Sequence, residues 1–189
     1  MGRVLEFGPE PVTGDRRLRR CLPSDTPRLG ISRLGREDAA DFYHTCDDPL
    51  IRATIPFISV DFDLRQSIEL LSKINEDTDC FYGVRTGDGQ IIGVIGAHLS
   101  TDRDVEIGYW FVPACHGQGY ALEAVGSVID SLRAGVPQRR IVAQCRPQNE
   151  SSWKLLNKLG FDDQGSANAR EGRHFRVLKK LPQPARKLE

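Results

Sequence analysis

EIGYWFVPACHGQGYALEA, residues 106–124, is the stretch of sequence that decides the fold. An apolar, aromatic run typical of a strand passes through a glycine-rich turn into a segment whose apolar residues have helical spacing. The first amides of a helix have no partners inside the helix, and the helix dipole favours negative charge there. Gly117 and Gly119 let the backbone approach a ligand closely because they carry no Cβ atom. The stretch therefore predicts a pyrophosphate cradle.

Two known nucleotide motifs fit this stretch poorly. A dinucleotide site would need a third glycine where Leu122 stands, and an acidic residue at the end of the next strand, where Cys145 and Arg146 stand. A phosphate-binding P-loop would need a Gly-Lys pair, which is missing here. A glycine pair that only opens an ordinary helix stays open as an interpretation of this stretch alone.

Strand and helix patterns alternate on both sides of this stretch. Before and within it they predict strands at 28–34, 80–86, 90–99 and 105–112, and helices from residue 35 and over 64–75. After it they predict a helix at 117–134, a strand at 140–145, a helix at 150–159, and strands at 161–164 and 174–181. The strand–helix–strand order predicts that the fourth and fifth strands are parallel. The fold class is therefore α+β, with a mixed six- to seven-stranded sheet flanked by about four helices.

The 189 residues suit one domain, for which roughly 150 residues is typical. Residues 1–26 are predicted to be a flexible or loosely docked extension, because prolines and glycines interrupt them. This extension also carries a basic cluster: Arg16, Arg17, Arg19 and Arg20. The cluster could contact RNA or an acidic partner, although a solvated arm is the simpler interpretation. The domain is expected at 27–181, followed by a tail at 182–189 that could be partly vector-derived.

Composition excludes several classes of protein. Lys+Arg and Asp+Glu number 26 each, and the resulting net charge of +0 argues against a dedicated nucleic-acid binder. No run approaches the roughly 18 apolar residues of a membrane helix, and no signal peptide is visible, so we expect a cytoplasmic protein. The five cysteines include no C-x-x-C pair, which indicates reduced thiols and no metal site.

A second motif, NESSWKLLNKLGF at residues 149–161, follows the second parallel strand. An E-I-G-Y-W strand, a G-x-G-Y-A-x-E-A loop and helix, and an N-x-x-S helix start before L-G-F thus occur in order. Together they resemble the GNAT superfamily of acetyl-CoA-dependent N-acetyltransferases, in particular its ribosomal-protein N-terminal (alanine/serine) acetyltransferase branch. The resemblance runs from about Thr26 to Leu181. It departs from the family's loop at His116, where Gln or Arg is common, and Ala121 takes the last loop position.

The resemblance implies a sheet splayed between the fourth and fifth strands, with the pantetheine arm of acetyl-CoA lying in the wedge like an added strand. The resemblance implies that the pantetheine is bound by the Asn149 amide and by backbone groups of Trp110, Phe111 and Val112. Capping the last helix is a compatible structural role for Asn149. It also implies that the pyrophosphate is bound by the backbone amides of five residues: Gly117, Gln118, Gly119, Tyr120 and Ala121.

The implied reaction is direct attack of a neutral amine on the thioester, with acetyl-CoA as co-substrate and no covalent enzyme intermediate. Ser152 matches the family's serine near the sulfur and is the candidate acid, with a backbone hydrogen bond as the alternative. Glu106 is the candidate base, acting through water, with an ion pair to an arginine as the alternative. Tyr109 and Trp110 are expected to pack in the sheet. A backbone amide of the central strand is the expected oxyanion donor.

The acceptor is left open by the sequence. A protein N-terminus, a polyamine, an amino acid and an antibiotic amine all fit. Six aspartates could attract a cationic amine or could equally form a solvated surface: Asp47, Asp48, Asp61, Asp63, Asp102 and Asp104. The alternative to an enzyme is a non-catalytic acyl-CoA sensor, or a module that recruits partners through the basic arm. Either a monomer or a homodimer is compatible with the sequence.

Overall fold

The computed structural model describes residues 14–55, 58–59, 61–74 and 77–179, and these contain one seven-stranded sheet. The strands are β1 Gly30–Arg33, β2 Asp79–Arg85, β3 Ile91–Thr101, β4 Asp104–Phe111, β5 Arg140–Cys145, β6 Phe161–Asp163 and β7 His174–Leu178. Their order in the sheet is β1-β2-β3-β4-β5-β7-β6. The helices are α1 Ala39–Cys46, the one-turn α2 Pro49–Arg52, α3 Leu64–Ser72, α4 Tyr120–Gly135 and α5 Glu150–Lys158.

The central strand β4 pairs with β5 over only half of its own length. β4 and β5 are parallel from the Asp104–Arg140 pair to the Ile107–Ala143 pair, and all other neighbouring strands are antiparallel. Beyond Ile107, β4 continues to Phe111 with β3 as its partner. A wedge therefore opens between β4 and β5, and the predicted mixed sheet, parallel pair and splay are confirmed.

Each face of the sheet carries its own apolar core. On one face α4 buries an apolar stripe with helical spacing, made of Ala124, Val125, Val128, Ile129 and Leu132. On the other face the buried Phe42 of α1 meets Phe81 and Trp110 edge to face, with ring centroids 6.1 and 5.7 Å apart. The Trp110 indole also donates to the Thr45 hydroxyl at 3.1 Å. β4 is thus held between two packed layers, which fixes one wall of the wedge.

The segment expected to be a flexible or loosely docked extension packs against the domain in its second half. Residues 14–26 pack against the domain, with Leu18 and Cys21 buried in the α4-side core. The Tyr82 hydroxyl donates to the Cys21 carbonyl at 2.7 Å. Apolar side chains at positions 18 and 21 explain the docking, because a short 3₁₀ turn at Leu18–Arg20 presents both to the core. Residues 1–13 and the predicted tail at 182–189 lie outside the described residues.

Two arginines of this segment also form ion pairs with carboxylates of the same chain. Asp15 accepts from Arg17 at 3.0 Å and from Arg139 at 3.2 Å, and Arg19 pairs with Asp77 at 3.4 Å. The basic cluster is therefore partly neutralised by carboxylates of the same chain. A partner-recruiting arm gains no support from this arrangement.

Acid should loosen this segment selectively. The hydrogen bond from Arg17, aided by Arg139, lowers the pKa of Asp15 from 3.8 to about 2. Because the folded pKa lies below the unfolded one, the stabilisation is complete above the unfolded pKa and is lost as the pH falls through the folded pKa. Asp15→Asn should destabilise the protein by about 1–3 kcal/mol near neutral pH. Urea unfolding at several pH values should show that difference shrinking toward about pH 2.

Asp102→Asn is the matched control, because Asp102 is exposed in the turn between β3 and β4. It should unfold like the wild type at every pH. A loss of stability in Asp15→Asn that stayed constant down to the lowest pH would contradict the role given to the Asp15 carboxylate.

Element bounds differ from the sequence predictions mainly at the ends. The predicted helix at 64–75 ends at Ser72, and the predicted strand at 174–181 ends at Leu178, with residues 75 and 180–181 outside the described part. The loop before α3 contains the additional turn α2. Within the described residues, no helix is both long enough and apolar enough to cross a membrane.

Candidate active site

The glycine-rich turn after β4 forms an open cradle. Gly117 and Gly119 have φ values of 77° and 81°, a left-handed conformation that disfavours other residues. A Cβ atom added at Gly117 would meet no atom within 4 Å, so a ligand could approach the backbone there. Among the described residues, none of the amides of 117–122 donates a hydrogen bond within the protein. The cradle therefore fits an anionic group such as a pyrophosphate.

An ion pair fastens the cradle to the start of the domain. Arg28 donates to Glu123 at 2.7 Å and to the Gln118 carbonyl at 3.0 Å, and its guanidinium lies 4.7 Å from the centre of the Tyr120 ring. Thr26 also donates to Glu123, and this bond, with help from Arg28, lowers the Glu123 pKa. Arg28 thus both shapes the loop and adds positive charge beside it.

Removing this arginine should weaken cofactor binding without unfolding the domain. We expect Arg28→Ala to raise the Kd for acetyl-CoA about tenfold, the usual effect of losing hydrogen bonds to a charged group. Calorimetric titration measures this directly. Arg133→Ala removes the same charge at the far end of α4, where Arg133 pairs with Asp130, and should bind like the wild type. An unchanged Kd for Arg28→Ala would show that the loop does not depend on this clamp.

The edge of β4 differs in detail from the expectation for Trp110, Phe111 and Val112. The Val112 amide donates to the Ile92 carbonyl of the β3 side at 2.9 Å. Because backbone groups alternate along a strand, Trp110 also faces β3, and Tyr109 and Phe111 face the wedge. Of the three residues expected to contact the pantetheine, only Phe111 therefore has its backbone groups directed toward the wedge.

The His116 side chain binds the backbone at this edge of β4. Its Nε2 donates to the Phe111 carbonyl at 2.8 Å, which explains why the loop tolerates histidine at this position. Gln118 uses its side-chain amide to reach the Ala114 carbonyl at 3.1 Å. Both side chains therefore stabilise the turn from within, and both leave the backbone amides of the cradle open.

A cavity of about 490 Å³ extends through the wedge from the carboxyl ends of β4 and β5 to the opposite face of the sheet. Both candidate catalytic residues line it, together with Asn149, Tyr109 and Gln144. The splayed strands thus bring together residues that lie up to 46 positions apart, from Glu106 to Ser152. Of the predicted site residues, Glu106, Trp110, Asn149 and Ser152 therefore share this cavity, and the cradle residues 117–121 are not part of its lining.

Ser152 lies in the first turn of α5, where its side chain is half-buried against the cavity. Asn149 caps this helix, since its Oδ1 accepts from the Ser152 amide at 3.1 Å, and so it has the structural role considered above. The Tyr109 hydroxyl donates to the Ser152 carbonyl at 3.4 Å, and burial raises the Tyr109 pKa. The Tyr109 hydroxyl thus contacts the backbone of the first turn of α5, although sequence reasoning expected Tyr109 to pack in the sheet.

Glu106 is buried in the cavity wall and is paired. One carboxylate oxygen accepts from the Arg170 guanidinium, and the other from the Gln144 amide at 3.2 Å. The ion pair that was the alternative for Glu106 is therefore present. It does not use the whole carboxylate, which can accept about four hydrogen bonds, so a water molecule can still bind.

The cysteines near the site have no nucleophilic character. Burial raises the thiol pKa of both Cys115 and Cys145, which lowers the fraction of reactive thiolate. All five cysteines are free thiols. Among the described residues, no group of three or more His, Cys, Asp or Glu side chains is arranged to hold a metal.

The six aspartates considered for an acceptor site lie elsewhere, and none is among the described residues that line the cavity. Asp104 is buried against Arg140 at 2.7 Å, Asp47 pairs with Arg52 at 2.6 Å, and Asp63 caps α3. Three arginines from the loops that follow β5 and precede β7 line the cavity instead: Arg146, Arg170 and Arg173. Sequence reasoning missed them because the loop at 164–173 carries no motif, and only the β5–β7 pairing brings it to the wedge.

Comparison with known proteins agrees with this geometry. The family model described as the acetyltransferase (GNAT) domain matches residues 28–162. An uncharacterized N-acetyltransferase, p20 of Bacillus licheniformis, is 29% identical over 150 residues, which cover 74% of this chain and 82% of that protein.

Solved structures of the same fold are also similar. Ribosomal-protein-S5-alanine acetyltransferase from Vibrio fischeri has a TM-score of 0.69 and 20% identity, covering 82% of this chain and 94% of that one. RimJ of Mycobacterium smegmatis, in complex with CoA-disulfide, has a TM-score of 0.63 and 21% identity, covering 82% of each chain. At this level of identity the likeness shows the shared fold.

Proposed function

Because the chain belongs to the GNAT family of acetyltransferases, we propose that it binds acetyl-CoA along the wedge and transfers the acetyl group directly to a primary amine held in the cavity. The protein is an N-acetyltransferase by family and by its curated relatives. The observation that carries the finer proposal is the row of amides at 117–122, which have no partner among the described residues and which follow β4, the strand whose residues 106–110 line the cavity together with Ser152. The cradle suits a pyrophosphate, and the cavity suits an amine.

The cradle has a binding role. Its amides donate to the pyrophosphate, the α4 dipole favours the negative charge, and Arg28 holds the loop in place. The wedge-facing backbone groups of Tyr109 and Phe111 bind the pantetheine in the manner of an added strand. When bound, acetyl-CoA supplies the activated acetyl group. The side chains then have to manage only protons and orientation.

Two side chains supply the proton transfers. The amine nitrogen forms a bond to the thioester carbonyl carbon while the carbon–sulfur bond breaks. Glu106 takes the proton lost by the amine through a bound water, and Ser152 donates a proton to the leaving sulfur. Arg170 keeps Glu106 in place, because it binds one carboxylate oxygen and leaves the other partly free. The Tyr109 hydroxyl, whose pKa burial raises, donates to the Ser152 carbonyl and so helps to position the first turn of α5.

Two-substrate initial-rate kinetics tests the direct transfer. With both acetyl-CoA and the amine varied, double-reciprocal lines should intersect, because both substrates must be bound before acetyl transfer. Parallel lines, together with a mass increase of the protein after exposure to acetyl-CoA alone, would indicate an acetylated enzyme and would overturn the direct mechanism. Cys115→Ser is a useful check, since it should leave the rate unchanged.

A further inference from the structure

The cavity has an excess of positive charge among its described lining residues. Of the described residues that line the cavity, four have a side chain that is formally charged at neutral pH: Glu106, Arg146, Arg170 and Arg173. Three guanidinium groups therefore face one carboxylate. A cationic acceptor would enter this site against repulsion, whereas an anionic group would be attracted.

Arg170 has part of its charge balanced. It binds Glu106 through Nη2, while its backbone amide donates to the Gln144 side chain at 2.7 Å. Its Nε atom is buried and has no hydrogen-bond partner among the described residues. A buried donor without a partner is costly, so a ligand oxygen that accepted from it would be stabilised.

Arg173 has no carboxylate partner among the described residues, and its contacts are with neutral carbonyls. It donates to the Gln144 carbonyl at 3.2 Å and to the Thr54 carbonyl at 3.5 Å. Burial lowers its pKa, and the neighbouring charges of Arg170 and Arg146 lower it further. This guanidinium is therefore in a positive field that an anion would relieve.

Arg146 follows β5 directly and is exposed at the cavity wall. No ion pair or side-chain hydrogen bond is formed by its guanidinium within the described part of the chain. Its position beside Arg173 creates a pair of cations with free hydrogen-bond donors. A carboxylate matches such a pair well, because guanidinium groups bind its two oxygens in a planar, charge-assisted geometry.

We propose that the acceptor amine belongs to a molecule that also carries a carboxylate, with the amine directed to Glu106 and the carboxylate to Arg146 and Arg173. This inference rests on the proposed acetyltransferase function and narrows its substrate class. A free amino acid and a peptide with an acidic residue beside its amino terminus share this chemistry. Polyamines and aminoglycosides, which carry amines but no carboxylate, do not.

A thiol-release assay with matched amines tests the proposal. The panel contains free aspartate and glutamate, the peptide amides Ala-Asp, Ala-Asn and Ala-Lys, spermidine and kanamycin. We expect turnover with carboxylate-bearing amines, and Ala-Asp at least about tenfold faster in kcat/KM than Ala-Asn. The free amino acids separate a small-molecule substrate from a peptide substrate. Faster turnover of spermidine, kanamycin or Ala-Lys would overturn the inference and leave the acetyltransferase function intact.

Substitution of Arg146 tests whether this arginine causes the preference for carboxylate-bearing amines. Arg146→Gln should reduce kcat/KM for the preferred acidic amine about tenfold and leave that for Ala-Asn unchanged, since only the carboxylate contact is lost. Arg103→Gln removes the same charge from an exposed position in the β3–β4 turn and should behave as wild type. An equal loss for Ala-Asp and Ala-Asn in Arg146→Gln would overturn the assignment of this residue.

Product binding decides the case if no amine in the panel reacts. Calorimetry of the CoA-loaded protein should show that N-acetyl-aspartate binds more tightly than N-acetylspermidine, and that Arg146→Gln abolishes the difference. Equal binding of both products to the wild type, or no binding of either, would overturn the inference. Binding of CoA itself in the same experiment reports separately on the cofactor site.

Discussion

Gly119→Val should weaken acetyl-CoA binding more than about 100-fold, the combined effect of backbone strain and of lost hydrogen bonds to a charged group. Gly119 has a φ of 81° and directly precedes α4. A β-branched residue avoids this conformation, so the turn would have to change shape and its amides would lose their common direction. The Cβ and methyl groups would also crowd the space that the pyrophosphate must approach. Isothermal titration with acetyl-CoA measures the effect.

Gly89→Val is the matched control for backbone strain. Gly89 has a φ of 84° in the turn between β2 and β3, and a Cβ atom there would meet nothing within 4 Å. Both variants should lose about 1–3 kcal/mol of stability, but only Gly119→Val should lose affinity. Affinity of Gly119→Val within threefold of the wild type would exclude the cradle as the pyrophosphate site.

Ser152→Ala should lower turnover roughly 100-fold, in the range typical of a lost proton donor. The Kd for acetyl-CoA should stay within about twofold, because the α5 cap depends on the backbone amide of residue 152 and not on its hydroxyl. Single-turnover measurements at saturating acetyl-CoA separate the chemical step from binding.

Ser151→Ala supplies the control one position away, since Ser151 is exposed and does not line the cavity. It should turn over like the wild type. Unchanged turnover in Ser152→Ala would remove that residue from the mechanism. A large loss in Tyr109→Phe alone would assign the proton to the neighbouring tyrosine.

Much of the fold could be predicted because its signals are local. The change from strand to helix across Gly117 and Gly119, the helical spacing in α4, and the turn at 87–89 each depend on neighbouring residues. The docking of residues 14–26 could not be predicted this way. Prolines and arginines suggested a flexible arm, but burial of Leu18 and Cys21 depends on a distant surface formed by β2 and α4.

The candidate site, too, could be predicted only where its signals are local in the sequence. Motifs predicted the cradle, Ser152 and Glu106 as candidates, because they lie in a glycine-rich turn, at a helix start and in the strand before that turn, and the structure places both side chains on one cavity. The sequence left open whether its six aspartates attract a cationic amine or form a solvated surface; three of them pair with arginines or cap a helix, and none is among the described residues that line the cavity. Arg170 and Arg173 reach the cavity from a loop without a motif, so only tertiary structure shows that they oppose Glu106.

Amine-dependent thiol release from acetyl-CoA, with mass spectrometry of the acceptor, tests the central claim most directly. The account predicts that at least one amine of the panel releases thiol in equal amount to acetylated product, and that Gly119→Val abolishes this release at cofactor concentrations that saturate the wild type. Tight acetyl-CoA binding without thiol release above the protein-free rate for any amine or peptide would contradict it. That result would indicate a protein that binds acyl-CoA without catalysing transfer.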